Sequence, residues 1–488
     1  MPQKILELKG SDFLKGLSLQ SAFPIGGLWQ YLANYNPFQK IGRLYPTLGP
    51  TRKDGGSIPI VINAFDFYSN GTTKYLFAFG DHTAANQAAY QINLDTDAIT
   101  DISSSVFLNR TGYVEQCSMC KIWKGYIIYD ERSATQVLRS ITTGITGDVT
   151  ILSGLTSSPK HPCVVGPDGY LYVGNYSYIA QLTSATGTSG NTANKFDTLQ
   201  TDLTCRDLDH DGQYIFAGFD NNDYETPLSG IVTDCQIIIW DRFKSYAEKR
   251  YQLKEAYIIA VRCLGTSCYV LTPSGWYVCS IASSPVLIYP MSSESPFNHF
   301  PADYNQVSKD ATSIYWGDKA GSGYIFAIGQ AIAGQPKIIY QPYYAIGITE
   351  NQKALIVSGS YKYVSTTTPR IYKLNDATGM YVTAMPVPTS LPSPYTFSFT
   401  KVILETPLST GQQVIHALFN SAGEVISGQE TQSFSSAGAK KTLIFRRNAT
   451  GATINDFTDL YPEIISNAEI VEIQVFGDPM PDTHNVQI

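Results

Sequence analysis

The sequence predicts an all-β protein that consists of a seven-bladed β-propeller, a small C-terminal β-sandwich and an extended N-terminal arm. Three observations support this fold class. The chain of 488 residues is long enough for a closed array of repeats or for several domains. It is rich in Tyr (33) and Gly (39), and only 15% of its residues are charged, which favours strands and turns. One short apolar motif also recurs along the chain at a nearly constant interval.

The recurring motif is an apolar strand that usually follows a polar or glycine-containing turn. Its seven copies are "KYLFAFGD" (74–81), "GYIIYDE" (125–131), "GYLYVGN" (169–175), "QYIFAGFD" (213–220), "SCYVLTP" (267–273), "SIYWGDK" (313–319) and "KALIVSGS" (353–360). Equivalent residues of successive copies lie 41 to 54 positions apart. A blade of four strands takes about 40–50 residues, so the copies predict seven blades. A pair of β-sandwiches gives no reason for so long a period.

Each copy is predicted to be the second strand of a blade that supplies all four of its strands in order. The propeller then spans residues 57–385, with "GMYVTAM" (379–385) as the outermost strand of the seventh blade. In this arrangement the ring closes by packing between the first and seventh blades, without a strand from the far terminus.

The segment after the propeller contains four prolines in nine residues, "PVPTSLPSP" (386–394). Proline lacks the N–H that a β-ladder requires and prefers an extended backbone, which predicts a semi-rigid linker. The following segments, such as "AEIVEIQVFG", alternate apolar and polar residues as half-buried strands do. We therefore predict a separate β-sandwich over residues 395–488.

Residues 1–56 show neither strand nor helix periodicity, but they carry many apolar side chains together with several Gly and Pro residues. A segment this apolar is not expected to remain a disordered tail. We predict an arm that docks on another protein and does not complete the propeller. The alternative is a plug or belt on the chain's own propeller.

Charge and hydropathy argue against several classes of partner. The net charge of −7 is spread along the chain and gives no basic face for phosphates, so nucleic acid is not an expected partner. The N-terminus "MPQKILELKG" lacks the apolar core and cleavage site of a signal peptide. Wholly apolar runs have only the length of a strand, so no membrane insertion is expected.

Both ends of the chain resemble virion proteins of tailed bacteriophages. "NPFQKIGRLYPTLGPTRKDGG" resembles the opening of such chains, and "KVILETPLSTGQQVIHALFNSAGE" with "NAEIVEIQVFGD" resembles the strand-rich domain that follows the propeller in many of them. The resemblance implies a non-enzymatic, tail-associated structural protein of the virion, made in the host cytoplasm. Its partners would be other virion proteins and copies of itself. An alternative is a displayed propeller that binds a host receptor or glycan, and a propeller glycosidase is a third hypothesis.

One acidic motif has the spacing of a calcium loop. "RDLDHDG" places Asp207, Asp209 and Asp211 on alternate positions before Gly212, as in the first half of an EF-hand loop. The position of the bidentate Glu is Gly218 here, and the related turn "GPDG" lacks two of the acids. A plain turn is therefore favoured, and a structural calcium at these three aspartates remains the alternative.

No complete metal, nucleophile or cofactor motif occurs, so we predict no catalytic, cofactor-binding or metal-binding residues, and no cofactor. The eight cysteines include two close pairs, Cys117 with Cys120 and Cys263 with Cys268. Zinc would require both pairs in one place, and they belong to different predicted blades. Buried thiols without a metal are the favoured interpretation.

Overall fold

The structure, a computed structural model, describes residues 2–9, 12–13, 29–33, 43–44, 50–54, 58–80, 89–106, 118–131, 137–155, 160–221, 234–290, 301, 304–317, 324–329, 342–344, 351–359, 361–374, 382–386, 388–426, 432–435, 440–446 and 457–480. These residues are almost entirely β, apart from the short helix α1 (Ser103–Val106) and short 3₁₀ turns such as Tyr304–Gln306. No helix in the described ranges has the length and hydrophobicity to cross a membrane.

Three strands come first, and six sheets of four consecutive strands follow. The first three are β1 (Gln3–Lys9), β2 (Trp29–Ala33) and β3 (Thr51–Arg52). The first three sheets contain β4 (Ile62–Ser69), β5 (Lys74–Gly80), β6 (Ala89–Asn93), β7 (Ile99–Asp101); β8 (Cys120–Trp123), β9 (Tyr126–Glu131), β10 (Val137–Thr142), β11 (Val149–Ser153); and β12 (Cys163–Val165), β13 (Leu171–Asn175), β14 (Tyr178–Leu182), β15 (Thr192–Asp197).

The next three sheets have the same order. They contain β16 (Thr204–His210), β17 (Ile215–Asp220), β18 (Cys235–Trp240), β19 (Lys249–Leu253); β20 (Ala260–Leu264), β21 (Ser267–Thr272), β22 (Gly275–Cys279), β23 (Val286–Pro290); and β24 (Val307–Lys309), β25 (Ser313–Gly317), β26 (Tyr324–Gly329), β27 (Pro342–Tyr344). These six sheets confirm the predicted blades, and in each the recurring apolar motif is the second strand. For the sixth blade the sequence predicts "PKIIYQ" (336–341) as the fourth strand; these residues lie outside the described ones, and the fourth strand of the sheet is β27.

The second strands of the first six blades are largely apolar because adjacent blades cover both of their faces. All residues of β13, β17 and β25 are buried. A strand covered on both faces shows a continuous apolar run and not an alternation. This double coverage explains why the motif repeats clearly in the sequence.

The seventh blade departs from the prediction. It contains β28 (Gln352–Ser358), β29 (Tyr361–Thr366) and β30 (Ile371–Lys373), and its fourth strand is β3 from the N-terminal segment. Thr51 pairs with Lys373 and Arg52 pairs with Tyr372. The prediction that every blade supplies its own four strands is therefore wrong, since the ring closes with a strand from the other end of the chain.

The same blade is also shifted by one strand relative to the prediction. "KALIVSGS" forms the innermost strand β28, and the second strand is β29, whose sequence is YKYVST. A lysine, Lys362, and two hydroxyl residues interrupt the apolar run of β29, although Lys362 is buried. The apolar motif therefore does not identify β29 as the second strand of the blade.

The chain forms two compact units. One comprises Pro50–Tyr324 and Ile346–Leu374, and it contains the innermost strands of all seven blades. The other comprises Met1–Gly49, Ile325–Ala345 and Asn375–Ile488, and it contains the C-terminal β-sandwich.

The sandwich consists of two sheets, which contain β1, β2 and seven strands from the end of the chain. Its later strands are β31 (Val382–Pro386), β32 (Thr389–Leu404), β33 (Gln413–Phe419), β34 (Gln432–Ser435), β35 (Thr442–Arg446), β36 (Phe457–Ser466) and β37 (Ile470–Pro479). One sheet has the order β1-β37-β32-β35, and the other has the order β2-β31-β36-β33-β34. The long strand β32 joins both sheets, because its start pairs with β36 and the rest pairs with β37 and β35.

The predicted boundaries around the proline-rich segment are wrong. "GMYVTAM" contributes to β31 of the sandwich, which pairs with β36, and not to the propeller. Residues 386–394 do not form a linker, since Pro386 ends β31 and Thr389 begins β32. Pro392 and Pro394 lie where the pairing of β32 with β36 is interrupted, between Ser390 and Tyr395. Proline is tolerated there because that stretch makes no regular ladder.

The described strands of the N-terminal segment pair with the chain's own sheets. β1 forms an edge of one sandwich sheet next to β37, and β2 forms an edge of the other next to β31. After β2, the N–H of Leu44 donates to the carbonyl of Ile470 on β37 (3.0 Å), whose N–H donates back to Leu44 (3.1 Å). These contacts are with the sandwich, so they are not the predicted plug or belt on the propeller. The prediction that residues 1–56 do not complete the propeller is wrong, since β3 is the fourth strand of the seventh blade. Docking on another protein stays a prediction.

A histidine lies in the sandwich interior. His416 is fully buried on β33 and its ring packs on Phe445, with ring centroids 4.9 Å apart. Neither ring nitrogen has a hydrogen-bond partner in the part of the chain that the structure describes. Burial lowers the pKa of His416 to about 3, because the charged ring would lose its hydration.

We expect the sandwich to lose stability in weak acid because of His416. Between pH 6.5 and 3 the unfolded chain binds a proton at this ring that the folded chain does not, so stability falls as the pH falls. At pH 5 the loss is about 2 kcal/mol, from roughly 1.5 pKa units at 1.4 kcal/mol each. Urea unfolding at pH 7.5 and 5.0 should show this loss in the parent chain and much less of it in His416→Leu.

The control for this prediction is Leu418→Met, a volume-conserving change of a buried side chain on the same strand. It should keep the acid sensitivity of the parent chain. An unchanged pH dependence in His416→Leu would show that another group is responsible.

Candidate functional site

The innermost strands of the seven blades surround a cavity of about 500 Å³ at the propeller centre. Residues from β4, β8, β12, β16, β20, β24 and β28 line it. Strand residues two positions apart point to the same side. This alternation brings both Asp207 and Asp209 of β16 to the cavity.

Three aspartates that line the cavity hold neighbouring blades together in the same way. Asp66 of β4 accepts from the N–H of Ile122 (2.7 Å), Asp207 accepts from the N–H of Val261 (2.7 Å), and Asp209 accepts from the N–H of Cys263 (2.8 Å). In each case the donor belongs to the next blade along the chain. The second carboxylate oxygen accepts the N–H of the residue that follows the aspartate.

Each of these aspartates also has a cation. Lys121 lies 3.1 Å from Asp66, and Asp207 and Asp209 form ion pairs with Arg262 and Lys309 respectively. Three acids and three bases therefore balance one another along the wall. A carboxylate with a backbone donor and a counterion is well suited to a structural role.

Arg262 extends the connection from blade 4 to blade 6. Its guanidinium pairs with Asp207 and also donates to the carbonyls of Tyr304 (2.8 Å) and Val307 (2.6 Å). Lys309 adds a bond to the carbonyl of Cys263 (2.8 Å). Blades 4, 5 and 6 are thus tied together along the cavity wall.

A polar contact crosses the cavity at the end where the inner strands begin. Asn305, in the 3₁₀ turn before β24, donates from its amide to the carbonyl of Ser118 (3.0 Å), just before β8. Ser118 is itself fixed, because its hydroxyl donates to Asp130 (2.6 Å). The contact joins blades 2 and 6, which are not neighbours in the ring.

Burial and neighbouring charges change the pKa values of several side chains in the cavity wall. Burial raises the pKa of Asp207 to about 6, although Arg262 and the N–H of Val261 act in the opposite direction. It also raises the pKa of the Cys163 thiol to about 12. The negative charge of Asp66 raises the pKa of Lys121, which keeps that ammonium protonated. Asp207 therefore takes up a proton in weakly acidic solution.

The three aspartates of the calcium motif do not act together. Asp207 and Asp209 are buried and bind the next blade, whereas Asp211 lies in the turn after β16. Its carboxylate caps that turn by accepting the N–H groups of Gln213 (2.8 Å) and Tyr214 (2.7 Å). In the described part of the chain, no group of three or more His, Cys, Asp or Glu residues is arranged to hold a metal.

The cysteines agree with the buried-thiol interpretation. Cys117 lies outside the described residues, Cys163 is half-buried, and the other six are buried and free, namely Cys120, Cys205, Cys235, Cys263, Cys268 and Cys279. Sequence reasoning missed Asp66, Lys121, Arg262 and Lys309 as wall residues. Their only local signal is a charged residue inside a strand, which is unusual in so apolar a context.

No protein-family model and no curated protein matches the chain. Among solved structures it is similar to virginiamycin B lyase from Staphylococcus aureus, at 11% identity over 67% of this chain and 98% of that one, with a TM-score of 0.46. It is also similar to the Dos1 propeller (8% identity, 67% and 94% coverage, TM-score 0.42). BamB from Moraxella catarrhalis is similar as well (10% identity, 77% and 99% coverage, TM-score 0.39). At these identities the likeness is one of fold alone, a β-propeller.

Proposed function

We propose that the chain is a non-enzymatic structural protein of a tailed-bacteriophage particle, associated with the tail, which assembles through protein–protein contacts. The non-enzymatic part of this proposal rests on the contacts that the cavity carboxylates make within the protein. Asp66, Asp207 and Asp209 each bind a backbone N–H of the next blade and a cation. An acid or base for catalysis needs a carboxylate oxygen directed at its substrate, whereas both oxygens of each of these carboxylates accept backbone N–H groups. The virion part rests on the resemblance of both chain ends.

An exposed apolar patch at the outer edges of blades 3 and 4 supplies a surface for assembly. The patch consists of Leu199, Phe243 and Tyr246, which are 78%, 77% and 54% exposed. Its two loops are joined by a bond from the N–H of Asp197 to the carbonyl of Ser245 (3.4 Å). Large apolar side chains held in water in this way commonly mark contact surfaces.

The backbone at Leu199 supports this assignment. Its φ is +64°, a left-handed conformation that costs a non-glycine residue about 1–2 kcal/mol. The carboxylate of Asp197 holds the turn by accepting the N–H of Leu199 (2.8 Å). Strain of this kind persists where a residue must be presented in one position.

The test is complementation of a phage that encodes the chain and whose own copy is interrupted. Plasmid-borne parent chain should appear in purified particles at a fixed copy number. Leu199→Ser combined with Phe243→Ser should keep the parent melting temperature and enter particles at least about tenfold less, because burying two such side chains is worth more than 1.4 kcal/mol.

Thr201→Ser is the matched control, since Thr201 is an exposed polar residue in the loop of Leu199. It should enter particles like the parent chain. Absence of the parent chain from purified particles would overturn the proposed function. Normal incorporation of the double variant would show only that this patch is not the assembly surface.

A second candidate is binding of a host receptor or glycan by a propeller displayed on the virion. The exposed rings of Phe243 and Tyr246 favour it, because aromatic faces stack on sugars. In this case purified chain should block adsorption of the phage to its host, and Tyr246→Ser should relieve the block. No competition at saturating concentration would exclude this second function.

A further inference from the structure

Three thiols form a row across blade 5. Cys263 of β20 lies directly opposite Cys268 of β21, and Cys268 lies directly opposite Cys279 of β22. Side chains at directly opposed positions of an antiparallel pair project to the same face. The side chain of Cys268 is therefore flanked on that face by those of Cys263 and Cys279.

The hairpin between β20 and β21 determines which neighbour is closer. Its turn has two residues, Gly265 and Thr266, and the strands resume at the pair Leu264 and Ser267. Gly265 has φ +57°, as the first central residue of such a turn requires. Leu264 and Ser267 therefore close the hairpin as a hydrogen-bonded pair, and the next pair is of the non-hydrogen-bonded type.

Cys263 and Cys268 form that next pair. Opposed residues of this type have Cα atoms about 4.5 Å apart, and their side chains are closer than in the other type. A disulfide needs Cα atoms about 4.4–6.8 Å apart, so the backbone already meets its requirement. The strands need not move to join these two sulfurs.

The thiols are well protected while the blade is closed. Cys263, Cys268 and Cys279 are 4%, 0% and 1% exposed. Burial raises the pKa of Cys268 well above its usual range, and it raises the pKa of Cys263 as well. Because the thiolate is the reactive form, oxidation should be slow and should follow local opening of the hairpin.

We propose that Cys263 and Cys268 are a latent cross-strand disulfide site, which the chain carries as thiols when it folds and closes on exposure to a disulfide or azo oxidant. Two S–H bonds break and one S–S bond forms. The two electrons and two protons pass to the oxidant, which becomes two thiols or a hydrazine. The disulfide would fasten the first two strands of blade 5 at the hairpin. This inference does not depend on the proposed function.

The test is treatment of the full-length chain with diamide, an azo oxidant, followed by alkylation in denaturant and peptide mapping. Chymotryptic cleavage after Tyr269 and Tyr277 separates Cys279 from the other two cysteines. The peptide of residues 258–269, which carries both Cys263 and Cys268, should be lighter by two hydrogens and unalkylated, and Cys279 should be alkylated. The reaction should accelerate in urea below the unfolding midpoint.

Matched variants identify the pair. Cys279→Ala should still lose two hydrogens, whereas Cys263→Ala and Cys268→Ala should not. A bond between Cys268 and Cys279 in the mapped parent chain would overturn the proposal. Retention of all three thiols in the parent chain, even in urea, would also overturn it. The mapping of the parent chain stands without any variant, so a variant that fails to fold does not weaken the test.

Discussion

Removal of residues 1–56 should destabilise both compact units of the chain. The deletion takes away β1 and β2, which form one edge of each sandwich sheet, and β3, which completes the seventh blade. β1 alone buries Leu8 and packs Ile5 and Leu6 against the sandwich core. At about 1.5–3 kcal/mol for each fully buried side chain, several kcal/mol are lost from the sandwich.

The propeller should lose a smaller amount through β3. Besides its two ladder pairs, this segment places Asp54 in full burial, where its carboxylate binds Arg52 (2.7 Å) and accepts from the N–H of Ile371 (3.3 Å). The N–H of Lys53 donates to the carbonyl of Ile371 (2.8 Å). At about 1 kcal/mol for each bond, roughly 3 kcal/mol are lost and the seventh blade is left without its fourth strand.

A matched pair of truncations separates the two effects. Removal of residues 1–49 keeps β3, so it should weaken only the sandwich, and removal of residues 1–56 should also weaken the propeller. Hydrogen exchange in β28 and β30 reports on the propeller, and exchange in β37 reports on the sandwich. If the chain without residues 1–56 kept the parent melting temperature and only failed to enter particles, the prediction that this segment docks on another protein would be right.

Asp220→Ala should cost about 3–5 kcal/mol of stability, the second largest effect that we expect from this structure. Asp220 is fully buried on β17 and binds Arg206, whose exposure is only 9%, with Nε at 2.8 Å. It also accepts from the N–H of Ile258 in the next blade (2.8 Å). The substitution removes the counterion of a buried guanidinium and the acceptor of a buried N–H together.

The control is Glu248→Ala in the same blade. Glu248 pairs with Lys244, and both side chains are substantially exposed. Removal of one partner of such a surface pair changes stability by no more than about 1 kcal/mol. Chemical unfolding of the propeller should rank the two variants clearly. Equal losses in both would mean that the Asp220 pair is not a main contributor to the contact between blades 4 and 5.

The sequence predicts the blades well where a strand is covered on both faces and poorly where it is not. Strands such as β13 and β17 are wholly buried, so each appears as an uninterrupted apolar run between turns. β29 carries a buried lysine, and β3 has only two residues, so neither leaves such a run. Which strand β3 joins depends on a partner about 320 residues away, which local pattern cannot reveal.

The cavity wall could be predicted only in part. The spacing of Asp207 and Asp209 correctly indicates two carboxylates on one face. The calcium hypothesis, however, groups them with Asp211, the next acid in the sequence. Their cations are Arg262 and Lys309, roughly 55 and 100 residues further along the chain. Similarly, the spacing of Cys263 and Cys268, five positions apart in the sequence, suggests half of a metal site. In the structure the two-residue turn between them places them opposite each other on adjacent strands.

The pairing of β3 with β30 also sets an order of events during synthesis. Thr51 and Arg52 leave the ribosome roughly 320 residues before Tyr372 and Lys373, with which they pair. At about 5–20 residues per second, the nascent chain keeps this segment without its partner for roughly 15 to 65 seconds. A strand of two residues followed by Lys53 and Asp54 is too short and too charged to attract other strand edges during that wait. The protein can therefore complete its ring only after translation has passed the last blade.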